Sequence, residues 1–194
     1  MTELCVLAQK YGSDKCPQTN HHSYTPFYFE LFKNKRKQVK KVLEMGVGHP
    51  RNMWHYKNYK MGASMYMWRD FFPNAQIYGA DIFPGCIFKT DRIETFLCDQ
   101  SDEESLKPLV KKTGADIDLF VDDGSHQVEH QVLTCKTLMP LLKKGVIYII
   151  EDMIDPNMVA RDLAEYDTEL VRFPMGRGKD DTLLVVRQKG PLIS

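Results

Sequence analysis

Apolar and polar positions along this chain follow two rhythms that take turns. Runs dense in Val, Ile, Leu, Phe and Tyr lie at 42–45, 76–83, 93–99, 117–123 and 146–152; each is short and bounded by polar residues or glycine, as buried strands are. Helical spacing fills the gaps. In "ASMYMWRDFF", Met65, Trp68 and Phe72 share one face. Val128, Val132, Cys135, Met139 and Leu142 are spaced by four and three and mark a second helix, which Gly145 closes. "DEESLKPLVKKTG" predicts a third, with Ser101 and Glu104 as a capping box and Pro108 bending or restarting it. Thr25 and Pro26 open a helix over "PFYFELFKN", and another falls around 156–166. "TELVRFPM" and "DTLLVVRQK", joined by "GRGKD", read as an antiparallel hairpin.

Five β/α alternations ending in a hairpin predict an α/β fold. Its sheet is doubly wound, Rossmann-like, seven-stranded and mostly parallel, with a C-terminal antiparallel hairpin strand. Neither repeat nor linker interrupts the chain, so 1–194 reads as one domain, with 1–35 as a helical lid segment on a core of 40–190.

Composition narrows the function classes. Lys plus Arg number 26 and Asp plus Glu also 26, so no global field gathers nucleic acid or anionic membrane. The basic run "KNKRKQVKK" at 33–41 therefore reads as a solvated helix end. No apolar run approaches the ~20 residues of a membrane span. The N-terminus lacks a signal-peptide core, and cysteines 5, 16, 86, 98 and 135 are scattered without metal or disulfide spacing. A cytoplasmic protein with reduced thiols is the expectation.

In open α/β sheets, ligands bind beyond the carboxyl ends of the strands. After the first strand comes "EMGVGHP", where Gly46 and Gly48 allow a tight turn, but no third glycine completes a dinucleotide fingerprint. Asp81 follows the second strand and "CDQSD", with Asp99 and Gln100, the third. "VDDGSHQVEH" follows the fourth and Glu151-Asp152 the fifth. Singly, each has a plain reading: Asp99, Asp122 or Asp123 caps the next helix, and His126 lies on its surface. Together they form a pattern. If strands four and five are neighbours, about 4.8 Å apart, Asp123, Glu151 and Asp152 converge and repel unless a cation sits among them. An all-oxygen set favours Mg²⁺, or Mn²⁺ or Ca²⁺, over zinc. The loop "HPRNMWHYKNYKM" is long and aromatic, suited to cover a ligand or an acceptor, or to anchor in the core.

The set "VLEMGVG", "GASMYMWRDFFPNAQIYGADIF", "CDQSD", "DLFVDDGSH" and "GVIYIIEDM", with "KYGSDK" and "HSYTPFY" near the N-terminus, resembles class I S-adenosylmethionine (SAM) dependent methyltransferases. More narrowly, it is similar to the metal-dependent sugar O-methyltransferases of macrolide and related natural-product pathways. The resemblance assigns Glu44, Gly46, Gly48, Ser64, Asp81, Asp99, Gln100 and Asp122 to the cofactor. Gly46 and Gly48 lie under its methionine part, Ser64 lies near its carboxylate, Asp81 takes the ribose, and the Asp99-Gln100 pair takes the adenine. It assigns Asp123, Glu151 and Asp152 to Mg²⁺ or Mn²⁺, His126 to the general base beside Asp123, and His22 to the pocket wall. The activity implied is transfer of a methyl group from SAM, leaving S-adenosylhomocysteine (SAH), to a hydroxyl of a sugar or glycosylated small molecule. Vicinal hydroxyls suit it, because they can chelate a metal.

Two rival readings stand beside this. Ribose 2′-O-methylation of RNA draws on the run 33–41 and the aromatic loop, and is opposed by the neutral charge and the acid cluster. A catalytically silent SAM-fold binding subunit would be marked by loss of Asp123, His126 or Glu151, and all three are present. Homo-oligomeric assembly is left open.

Overall fold

Strands buried on both faces are largely apolar, and the inner strands of this chain are so. β1 (Lys41–Met45), β2 (Gln76–Asp81), β4 (Ile93–Leu97), β5 (Leu119–Asp122) and β6 (Ile147–Ile150) form the parallel body of the sheet. The computed structural model describes residues 1–19, 21–51, 59–173 and 181–190. Alternate strand residues feed two cores. Val42, Ile77, Leu119, Val121 and Ile149 face the side covered by α1 (Glu3–Tyr11), α2 (Tyr24–Phe32) and α3 (Ala63–Phe71). Leu43, Met45, Phe120, Tyr148 and Ile150 face α4 (Glu103–Thr113), α5 (Val128–Leu138) and α6 (Pro156–Asp162).

The strand order is β3-β4-β2-β1-β5-β6-β8-β7, eight strands among the described residues where the sequence predicts seven. The additional one is β3 (Lys89–Thr90), two exposed residues antiparallel to β4, too short to leave an apolar signature. β8 (Thr182–Arg187) inserts antiparallel between β6 and β7 (Asp167–Arg172), so the hairpin closes one edge as expected; its "GRGKD" turn lies outside the described residues.

The helix ends differ in detail from the sequence reading. Asp102, not Ser101, caps α4 by accepting from Glu104 N, and Pro108 lies inside a helix that continues past it. Ser101 instead bonds back to Asp99, so the capping box does not form. Tyr24 starts α2, which places Thr25 and Pro26 in its first turn rather than at the cap. α5 stops at Leu138 and tightens into a single 3₁₀ turn over Met139–Leu141, leaving Gly145 in the turn before β6. α6 ends at Asp162, short of 166.

The N-terminal segment is built into the fold. α1 ends on Gly12, whose left-handed conformation (φ +77°) lets Ser13 N reach Ala8 O. Ser13, Asp14 and Lys15 then line a cavity at the strand ends. The Lys15 carbonyl accepts from Tyr24 N and Thr25 N, so the start of α2 fixes the backbone of Lys15.

Candidate active site

Strand order reverses at β1, between β2 and β5, and a cavity of about 500 Å³ opens there beyond the carboxyl ends. Gly46, Gly48, Ser64, Asp81, Gln100 and Asp123 are on its wall. Gly46 (φ +91°) is where β1 leaves the sheet; a Cβ there would stand 1.9 Å from the carbonyl oxygen of Asp123. That contact requires glycine whether or not a ligand is bound.

Asp81 joins the first two strand ends. One of its oxygens accepts from Val47 N (2.9 Å) and Gly48 N (3.3 Å), the other from Phe83 N (2.9 Å). The carboxylate thus shapes the loop it shares with Gly48 as well as facing the cavity. Gln100 donates to Asp122 (2.6 Å) and accepts from Ser125 N (2.8 Å), locking the third strand end to the fourth. Asp122 accepts also from Tyr148 and is fully buried, and burial pushes its carboxyl up to about 7. Neither Asp122 nor Glu44 is on the cavity wall, although both belong to the expected cofactor set. Asp99 is on the wall, its Oδ1 held by Ser101 N and Oγ. Tyr59 closes one side and donates to Gly48 O (2.7 Å); positions 52–58 of the aromatic loop lie outside the described residues.

Of the three acids expected to converge, Asp123 and Asp152 meet, joined by His126, and Glu151 does not enter their group. Asp123 leaves β5 and Glu151-Asp152 leave β6, its parallel neighbour. Ligand atoms of Asp123, His126 and Asp152 lie within 4.8 Å of one another. His126 Nε2 is 3.3 Å from Asp123 Oδ1 and 4.0 Å from Asp152 Oδ2. Both His126 (φ +63°) and Asp152 (φ +51°) hold left-handed backbone, a strain of about 1 kcal/mol or more each that surrounding structure must impose. His22, expected on the pocket wall, is instead buried behind it, 3.3 Å from Asp152 Oδ2 and stacked on Tyr24.

The sequence reading missed who answers these acids. Lys15, fully buried, donates from Nζ to Asp123 Oδ2 and to Glu151 Oε2, and lies 3.3 Å from Glu44 Oε1 without hydrogen-bond geometry. Tyr28 donates to the other Glu151 oxygen (2.6 Å), and Tyr24 to Asp152 Oδ1. Glu151 is therefore spent on Lys15 and Tyr28 and stands apart from the Asp123–His126–Asp152 group. Glu44 takes bonds from Trp68 Nε1 (2.6 Å) and Ser64, which leaves Oε1 a buried acceptor with no donor.

One ammonium does not balance four carboxylates. Burial, with only partial relief from Lys15, pushes Glu44 up to about 7 and Glu151 to about 8, and burial and the Asp123 charge push Asp152 to about 8. Asp123 is the exception. Burial works against its charge, but Lys15 and His126 outweigh it and hold the carboxyl well below the usual range. Burial would lower His126, yet its bond to Asp123 and the nearby acids push it up to about 9. Such a surplus of acid suits a cation, and the Asp123 and Asp152 carboxylates give an oxygen set open to one divalent ion, with the His126 imidazole beside it.

No protein-family model matches the chain. The chain is 37% identical over 151 residues to 8-demethyl-8-(2-methoxy-alpha-L-rhamnosyl)-tetracenomycin-C 3′-O-methyltransferase of Streptomyces olivaceus, covering 78% of this chain and 37% of that protein. With mycinamicin VI 2″-O-methyltransferase of Micromonospora griseorubida it shares 39% identity over 154 residues, 78% of this chain and 36% of the other. The solved structure of MycE methyltransferase from the mycinamycin biosynthetic pathway, in complex with Mg, SAH and mycinamycin VI, superposes with a TM-score of 0.75 at 28% identity, covering 96% of this chain and 54% of MycE. SAH-bound PaMTH1 of Podospora anserina, at 14% identity and a TM-score of 0.59, shares the fold. The chain thus spans little more than a third of the curated relatives and about half of MycE. It has the class I methyltransferase fold, and over three quarters of its length its sequence is similar to those of sugar O-methyltransferases.

Proposed function

We propose that the chain is a SAM-dependent, divalent-metal-assisted O-methyltransferase acting on a hydroxyl of a sugar or glycosylated small molecule. The observation that carries this reading is the junction of two sites: the cavity at the β1 switch point runs directly into the Asp123–His126–Asp152 group, which shares its wall. A cofactor and an acceptor can therefore meet at one place. SAM, when bound, supplies an electrophilic methyl group, and a divalent ion lowers the pKa of a hydroxyl that it coordinates.

The chain's own residues do the rest. Gly46, Gly48 and Asp81 form the floor and rim of the cofactor site, with Ser64, Asp99 and Gln100 on the wall. Asp123 and Asp152 are the carboxylates that would hold the ion, with His126 beside them. Glu151, pinned by Lys15 and Tyr28, adds negative charge from behind. His126 receives the acceptor proton at Nε2. The acids around it favour the imidazolium, and positive charge brought among them favours release of that proton and so readies a base.

The test is calorimetry with SAH, in Mg²⁺ and again in EDTA, followed by an Mg²⁺ titration. Micromolar SAH binding and an Mg²⁺ signal that disappears in Asp123→Asn, with SAH binding retained, are the expected results. An unaltered Mg²⁺ signal in that variant would remove Asp123 from the metal site, and absence of SAH binding would return the chain to the role of a binding subunit.

A further inference from the structure

We propose that Lys15 and a divalent cation are alternative partners for the strand-end acids, so that Lys15 is a built-in counter-ion against which the metal must compete. The inference rests on the metal reading above and concerns a residue that this reading mentions only as a partner of Glu151.

Three observations support it. Lys15 Nζ is bonded to Asp123 and Glu151 and within 3.3 Å of Glu44, so one ammonium sits among three carboxylates from three adjacent strands. Its side chain is 2% exposed, and a lysine so buried is retained only where charge requires it. Finally, Asp123 belongs to both groups: Oδ2 faces Lys15 while Oδ1 faces His126, which lies 4.0 Å from Asp152. An ion seated between Asp123 and Asp152 would draw on the same carboxylate charge that holds Lys15, and ion and ammonium would repel each other at short range. Lys15 therefore lets the acids fold without metal and weakens the metal's hold once it arrives. Glu151 lies at the pivot, held by Lys15 on one oxygen and Tyr28 on the other. Lys15 is a positioning residue, since it acts through the acids.

The experiment uses the full chain and Lys15→Met, with Mg²⁺ as the probe. In EDTA the variant is expected to melt below the wild type, and Mg²⁺ to recover much more of its melting temperature than it adds to the wild type. Its Mg²⁺ dissociation constant is expected to tighten by at least about ten-fold, because a like charge has left the site. An equal loss of melting temperature in both buffers, with unchanged or weaker Mg²⁺ binding, would make Lys15 an ordinary buried ion pair and overturn the proposal while leaving the metal reading intact. If neither protein binds Mg²⁺, the metal reading falls and the competition falls with it; SAH titration then tells whether the cofactor reading survives. Should Lys15→Met not fold, the wild type decides. Saturating Mg²⁺ should change amide exchange at residues 13–16 by about ten-fold or more if Lys15 is released, and unchanged exchange in protein shown to bind Mg²⁺ refutes the release.

Discussion

Replacing Gly46 by alanine tests the geometry on which the whole site depends. Two costs can be separated. The first is backbone: at φ +91° an L-residue is strained, by about 1–2 kcal/mol. The second is collision. The new Cβ would lie 1.9 Å from Asp123 O and 2.7 Å from its carbonyl carbon, both of which are backbone atoms. They cannot swing aside, because Gly46 N bonds to Ala80 O (2.8 Å) and Asp123 N to Met45 O (2.9 Å). Restoring ordinary contact means moving the end of β5 by roughly 1.5 Å, and overpacking of that kind costs about 1–3 kcal/mol. Together Gly46→Ala should lose about 2–5 kcal/mol. Gly145→Ala is the internal control: φ is +84° there, but nothing lies within 4 Å of the added Cβ, so only the backbone cost of about 1–2 kcal/mol applies. Urea unfolding of both variants, compared at equal m-values, measures the difference. If Gly46→Ala is within about 0.5 kcal/mol of Gly145→Ala, the collision is absent and β1 and β5 do not meet as described.

His126→Ala should lower turnover by about 10²-fold or more at pH 7 while leaving SAH affinity unchanged; an unaltered rate would remove His126 from the role of base. Asp70 ties α1 to α3 through Tyr11, Arg69 and Lys10. Burial opposes its charge, but these partners hold its carboxyl at about 2. A depressed acid stabilises the fold above its unfolded pKa, near 4, and that stabilisation is lost as pH falls towards 2. Asp70→Asn should therefore lower stability at pH 7 by about 1–2 kcal/mol, with the deficit shrinking below pH 4. A deficit that is constant with pH would assign the effect to packing.

Much of this was readable because a parallel sheet advertises itself. β1, β2, β5 and β6 are apolar on both faces, so their sequences are continuous runs, and the acids that follow them mark their carboxyl ends. Residues 89–90 carry no such run, and β3 escaped notice. Lys15 escaped for a different reason. It is 108 residues from Asp123 and 136 from Glu151, and a lysine between aspartate and cysteine reads as surface. Its signal was indirect: acids expected to converge need positive charge, and that need was assigned to metal alone. Tyr24 and Tyr28 were better marked, since an i, i+4 pair on α2 shares one face, but an aromatic pair at that spacing reads first as core. Gln100 was found at the right strand end, and its amide then proved to be shared between Asp122 and Ser125.

The route of the N-terminal segment has a practical consequence for anyone trimming this protein. Among the described residues, a shortened version starting after Phe32 would lose α1 and α2 but keep every strand and four of the six α-helices, and so the whole sheet. It would also lose Lys15, Tyr24 and Tyr28 at one stroke, stripping three donors from Asp123, Glu151 and Asp152. A fragment meant to keep these donors on the strand-end acids therefore has to retain α1, α2 and the turn between them.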